Sequence, residues 1–214
     1  MELVFKNLNF LLTGAYYTML ITIVSMFFGL IIGLITAIAR LKGNWLISTL
    51  AKGYVSIIRG TPILVQIFIV YYGLPDFGIT LEPLTAAYIS LSINIGAYLS
   101  ETFRGAILSV HKGQTEAAVS LGLTPWQTMV KVVLPQAARV AIPPMGNTFI
   151  GMLKETSLVS IVTVTELLRS AQLLIAQYYT AMPFYLAIAL MYWLMSMLFS
   201  NILNRIEVKL SKAY

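Results

Sequence analysis

The residues able to do chemistry are few, and they sit in oily surroundings. Arg59, Gln66, Asn94, Asn147, Lys154, Glu155 and Ser157 lie within long apolar stretches or at their ends. A polar group there is costly unless paired or hydrated, so each is a candidate either for holding a polar solute or for joining helices. Bond-breaking chemistry has little to work with. The 214-residue chain has no cysteine, which removes disulfides, thiolate metal sites and a thiol nucleophile. One histidine, His111, leaves little for a metal cluster or a catalytic pair. Neither G-x-x-x-x-G-K-[ST] nor H-E-x-x-H occurs, so the chain carries no phosphate loop for ATP hydrolysis and no zinc-protease motif.

A second group of residues is organised for contact rather than for chemistry. Residues 113–135, GQTEAAVSLGLTPWQTMVKVVLP, read as a water-soluble helical hairpin between oily segments. Residues 113–121 form a short helix that stops at Gly122, the residue type that most easily takes a left-handed helix end. Thr124 is a natural N-cap for the next helix, Pro125 fits its first position, and Gln127 completes a Thr-x-x-Gln capping box. Pro135 is expected to end it. Glu116 presents one charge for pairing, Ala117 and Ala118 form a small face that another protein can approach closely, and the Gly122 corner sets the angle between the helices.

The elements that must position these groups are membrane spans. Hydrophobic residues make up 58% of the chain and charged residues only 10%, and mean hydropathy is +0.84. Soluble chains average about 25% charged residues, so this one cannot cover itself in water. The expected fold class is all-α: a single polytopic domain over 1–214 with about five transmembrane helices, near 15–39, 54–74, 84–104, 137–155 and 183–204. Gly14, Gly29, Gly33 and Ala37 recur near one face of the first span and invite a close helix neighbour. Residues 1–13 read as a lead-in, 44–50 as a stretch along the membrane surface, and 156–174 as a short segment plus an amphipathic surface helix. Pro143-Pro144 is expected to break the fourth span.

The net charge of +6 is a matter of topology, not of nucleic-acid binding. Arg40, Lys42, Lys52, Arg104, Lys112, Lys131, Arg139, Arg205, Lys209 and Lys212 follow spans one, three and five. Lys6, Lys154 and Arg169 lie on the other side with Asp76, Glu82, Glu155 and Glu166. The positive-inside rule puts the 113–135 loop and the C-terminus in the cytoplasm and the N-terminus outside.

The spacing Glu116-Ala117-Ala118, three residues, Gly122, nine residues, Val132-Val133-Leu134-Pro135 resembles the EAA coupling loop of bacterial ABC-importer permeases, with Val132 where that family more often has Ile. RGTPILVQIFIVYYGLP at 59–75, AAYISLSINIGAYLSETFRGAI at 86–107 and PPMGNTFIGMLKETSLVSIV at 143–162 are similar to the polar amino acid branch, and within it most similar to the L-cystine permeases. The resemblance implies a channel in the bacterial plasma membrane made by two such permease chains, with two cytoplasmic ATPase subunits and an extracytoplasmic solute-binding protein. ATP and Mg would be held by the ATPase, with no cofactor on this chain and no enzyme activity of its own. Glu116, Ala117, Ala118 and Gly122 would be the ATPase-coupling residues.

An amino acid zwitterion needs a donor-rich partner for its carboxylate and an acceptor for its ammonium. Adjacent Lys154-Glu155, with Thr156 and Ser157 as hydroxyls, could supply part of both, or could form one outer-interface ion pair or mark the end of the fourth span. Arg59 and Gln66 could face the same path, and Arg59 could equally reach lipid phosphates. Asn94 and Asn147 fit interhelical hydrogen bonding as well as solute contact. A secondary transporter or channel acting without an ATPase is the alternative, weakened by the absence of an inverted repeat. A docking scaffold that passes no solute is a third reading.

Overall fold

The computed structural model describes residues 2–211, and Lys212 lies outside them. All regular structure among these residues is helical. Helix α1 (Glu2–Lys6) leads into α2 (Leu8–Lys42), so the expected lead-in is itself helical and the first span begins earlier than 15. At 1.5 Å per residue α2 is about 52 Å long, more than a bilayer core requires. Its small residues do what their spacing promises. A Cβ on Gly29 would strike Ile95, one on Gly33 would meet Leu99 Cβ at 2.8 Å, and one on Gly14 would strike Ser170. These absences let α2 lie directly against α5 (Pro83–Ser109) and, toward its N-terminal end, α9 (Leu167–Tyr178).

The contacts also fix direction. Gly29 meets Ile95 and Gly33 meets Leu99, so α2 and α5 run the same way. Chain leaving the end of α2 must therefore return across the layer before α5 starts. The return is made by α3 (Trp45–Gly60) and α4 (Ile63–Phe68), which continues as a widened turn at Ile69–Gly73 and a tight one at Leu74–Phe77. The surface stretch at 44–50 and the expected second span thus merge differently from the sequence reading. Residues 45–50 belong to α3, with Asn44 as its N-cap, and the span at 54–74 is broken by a bend of 107° between 45–60 and 63–77. Pro62 causes it, since it has no N–H for the ladder and forces Thr61 into extended geometry, φ −121° and ψ 147°.

After α5 come α6 (Lys112–Ser120) and α7 (Pro125–Thr128), then a widened turn at Met129–Val133 that passes without interruption into α8 (Leu134–Glu155). Pro135 does not end the helix. The Leu134 N–H bonds Met129 O five residues back, and this shift of register lets the helix run past a residue that lacks its own N–H. The same device recurs at Ile69–Gly73, where Leu74 N–H bonds Ile69 O just before Pro75. Pro143 and Pro144 do not break α8 either; both lie inside it.

α8 runs antiparallel to α5, with Ala106 beside Ala137 and Ala141 at one end and Leu99 beside Met152 at the other. α10 (Met182–Ser211) is antiparallel to α8, with Leu203 against Gly146 and Phe199 on Phe149. Between them, a tight turn at Thr156–Val162 leads to α9. That helix is amphipathic as expected: Leu167, Ala171 and Leu174 pack with Leu11 and Phe184, while Leu173, Ala176 and Gln177 on its other face are exposed. Alternation of direction places the ends of α2, α5 and α10 and the hairpin of α6 and α7 at one face, called here the inner face. Glu166 and the start of α5 lie at the other.

Candidate functional site

The hairpin is built as its caps dictate. His111 Nδ1 accepts from Gly113 N–H at 3.1 Å, and Gly122 takes φ +83° after α6. The Thr124 hydroxyl accepts from Gln127 N–H at 3.3 Å while Gln127 Oε1 accepts from Thr124 N–H at 2.9 Å. Gln136 Nε2 donates to Gln114 Oε1 at 3.3 Å, tying α6 to α8. The small face is divided, however. Ala117 is exposed, but Ala118 is only 4% accessible, so it packs inside the chain and does not present a paired Ala surface. Successive residues of a helix point about 100° apart, and here Ala118 falls on the side that meets the rest of the chain. The outward face carries Glu116, Ala117, Leu121 and Trp126, the last two 83% and 75% exposed.

At mid-depth, Gln66 and Asn94 come together. Asn94 Nδ2 donates to Gln66 Oε1 at 3.0 Å, and both side chains are buried. Gln66 Nε2 donates to Ile58 O at 2.8 Å, Thr61 O at 3.1 Å and Thr61 Oγ1 at 2.9 Å. The amide thus closes the bend left by Pro62, supplying a donor to carbonyls that the broken helix leaves behind.

Arg59 lies elsewhere. Its guanidinium is 5.2 Å above the Tyr98 ring and its Nη1 is 3.8 Å from Glu101 Oε1. Glu101 accepts from Arg40 Nη1 at 2.5 Å and from Arg104 Nε and Nη2 at 3.0 and 2.8 Å. Three arginines from α2, α3 and α5 therefore surround one carboxylate near the inner face.

Asn147, Lys154 and Glu155 form an exposed strip on α8. Asn147 and Lys154 are seven residues apart, two turns on one face. The strip looks away from the chain's own core. Ser157 is turned back instead, its hydroxyl donating to Lys154 O at 2.7 Å. An apolar cleft of about 250 Å³ between α2, α5 and α8, lined by Leu34, Phe103, Ala106, Leu134, Ala137 and Met145 among others, includes none of these polar residues.

Two residues outside the candidate set stand out. Glu101 is the hub just described, and Glu166 is wholly buried near the opposite face. Glu166 accepts from Leu168 N–H at 2.9 Å, Arg169 N–H at 2.8 Å and the Tyr192 hydroxyl at 2.7 Å, with Thr18 Oγ1 at 3.4 Å. An acidic residue just before an amphipathic run is an N-cap signal that was available in the sequence. The three-arginine arrangement around Glu101 had only the local Glu101–Arg104 spacing to announce it.

A bundle of alternating helices, several of them long and apolar, with a capped hairpin at one face, fits a polytopic membrane component. The chain belongs to the binding-protein-dependent transport system inner membrane component family, whose model matches residues 29–212. It is 46% identical over 204 residues to the L-cystine transport system permease protein TcyB of Bacillus subtilis, covering 93% of this chain and 86% of that one. The glutamine transport system permease protein GlnP of Escherichia coli K12 is 41% identical over 199 residues, covering 92% and 91%. A solved structure described as an amino acid ABC transporter with histidines superposes with a TM-score of 0.92 at 35% identity, over 96% of each chain.

Proposed function

We propose that this chain is the permease subunit of an ATP-driven importer of polar amino acids, with L-cystine as the leading solute. The observation that carries the reading is the capped hairpin. It is internally packed through Ala118, Thr128 and Val133, and it exposes Glu116, Ala117, Leu121 and Trp126 at the face where α2 and α10 end. A rigid, partly apolar projection of this kind suits docking in a groove of a soluble protein, and the basic residues Arg40, Lys42, Lys131, Arg205 and Lys209 support a cytoplasmic location for that face. The N-terminus is then outside. Two ATPase subunits dock there and hold ATP and Mg, an extracytoplasmic binding protein delivers solute, and a second permease copy completes the path.

The exposed strip of Asn147, Lys154 and Glu155 supports a solute path between two copies, because these groups face away from their own chain. Lys154 would meet the carboxylate of an amino acid and Glu155 its ammonium. Gln66 and Asn94 form a buried wall between α4 and α5. The likeness to permeases of L-cystine and of glutamine keeps the solute class polar and favours the former by identity.

The test is uptake of labelled L-cystine, glutamine and arginine by proteoliposomes holding the permease with its ATPase and binding protein. Uptake requires ATP, and Glu155→Gln raises the half-saturation concentration. Loss of a charge-assisted contact costs about 1.5–3 kcal/mol, or about tenfold to more than a hundredfold. Uptake without the ATPase sinks the importer reading in favour of a self-sufficient channel. An unchanged half-saturation removes Glu155 from the solute site.

A further inference from the structure

We propose that Glu101 and Arg59 are positioning residues that transmit movement of the hairpin to the bent segment of α3 and α4. This rests on the importer reading and goes beyond it by naming the connection inside the chain.

The argument begins with charge. Glu101 has two oxygens, and both are already engaged: Oε1 by Arg40 at 2.5 Å and Oε2 by two nitrogens of Arg104. Arg59 is the third cation at a site with one anion. At 3.8 Å it is attracted without being hydrogen-bonded, and its side chain is 43% exposed against 12% for Arg40. Stacking on Tyr98 keeps it in place while leaving its N–H donors uncommitted to the carboxylate. Of the three arms, Arg59 is the one that can engage or release with least disturbance to the others.

Geometry then says what that arm would move. Glu101 lies two turns from the end of α5, and only Val110 and His111 separate α5 from α6. A helix carries an axial or tilting displacement along its length, so a push on the hairpin shifts the Glu101 carboxylate. Arg59 is in the last turn of α3, next to the Thr61–Pro62 bend. Its neighbour Ile58 offers the carbonyl that Gln66 Nε2 holds, and Gln66 in turn accepts from Asn94. Closing the Glu101–Arg59 distance draws the end of α3 toward α5 and loads the amide pair at mid-depth. Opening it frees the bend. The same α5 also carries Asn94, so the hairpin reaches the buried wall by two routes that share one helix.

The experiment uses the complete complex in proteoliposomes, with ATP hydrolysis and uptake measured on the same preparation. Wild type must show hydrolysis stimulated by loaded binding protein. If it does not, the importer reading fails before the junction is tested. Arg59→Gln leaves Glu101 bonded to Arg40 and Arg104, so the fold keeps its ion pairs. The expected result is at least about a fivefold fall in solute moved per ATP, the lower end of usual coupling between sites, with half-saturation for solute unchanged. Arg59→Lys, which keeps the charge but not the planar stack on Tyr98, recovers part of the loss. Solute moved per ATP at the wild-type value in Arg59→Gln overturns the proposal. So does a raised half-saturation at unchanged stoichiometry, which would make Arg59 a solute contact.

Discussion

Glu166 and Glu101 both bind α2, one through Thr18 and the other through Arg40, 22 residues and about 33 Å further along the helix. Their surroundings differ in kind. Glu166 is sealed, and its donors are neutral: two backbone amides of the helix it caps, a tyrosine hydroxyl and a threonine hydroxyl. Those amides point along fixed directions and add the favourable dipole of a helix N-terminus. Glu101 is part exposed, and its partners are the long arms of three arginines, more cations than one carboxylate can neutralise. A group held by backbone donors has one arrangement. One held by surplus flexible cations can exchange partners. The outer junction therefore reads as a fixed anchor and the inner one as an adjustable coupling.

The largest effect that bears on this contrast is expected from Glu166→Ala. It removes an N-cap, which alone costs about 0.5–2 kcal/mol, and leaves buried donors unpaired at about 1–3 kcal/mol for each unsatisfied group. A total loss of about 3–5 kcal/mol should show as a much lower unfolding midpoint of the purified chain in mixed detergent micelles. A loss below about 0.5 kcal/mol, within the range of a surface change, would mean that the outer junction is no anchor.

A smaller loss is expected for Glu101→Gln, about 1–2 kcal/mol, since the amide oxygen still accepts from an arginine while the charge attraction is gone. Salt separates the two sites more sharply than magnitude does. Added sodium chloride should narrow the gap between wild type and Glu101→Gln, because part-exposed charges are screened. The gap for Glu166→Ala should stay the same, its donors being neutral and buried. Equal salt responses would erase the distinction between the junctions.

The positions of these junctions explain what could be read in advance. Local spacing announced the Gly14, Gly29, Gly33 and Ala37 stripe, the Gly122 corner and the Thr124–Gln127 capping box, and each lies where its chemistry requires. These features depend on neighbours within a few residues or on a helical period. Arg40 and Glu101 are 61 residues apart, and Thr18 and Glu166 are 148 apart, so their meeting depends on how whole helices pack. The prolines misled in both directions. Pro62 bends the second crossing through 107°, although the apolar run continues past it. Pro135, Pro143 and Pro144 sit inside helix. What decides is whether the ladder can shift, as the widened turn before Pro135 allows, or must open at the preceding residue, as at Thr61. Ala117 and Ala118 had looked like one face, yet only the first is outward.

Gln66 and Asn94 sit between the two carboxylates and carry no charge, so they test whether polarity alone can serve as a joint. Every acceptor and donor on Gln66 is in use, with Nε2 on Ile58 and Thr61 and Oε1 on Asn94. Asn94 spends only one donor in that pair, so it is the member with capacity left for a solute. A double-mutant cycle with Gln66→Leu and Asn94→Ala isolates their mutual contact. Hydrogen bonds between membrane helices average about 0.6 kcal/mol and reach about 1.7 kcal/mol, so the coupling energy should fall within that range and below the effects of either carboxylate. Uptake adds the functional half of the comparison. Gln66→Leu should alter solute moved per ATP through the bend, whereas Asn94→Ala should raise half-saturation if its spare donor meets the solute. A coupling energy near zero would show that the pair is not a joint. Identical changes in uptake from both variants would show that Asn94 acts only through Gln66, leaving the solute contact to the exposed face of α8.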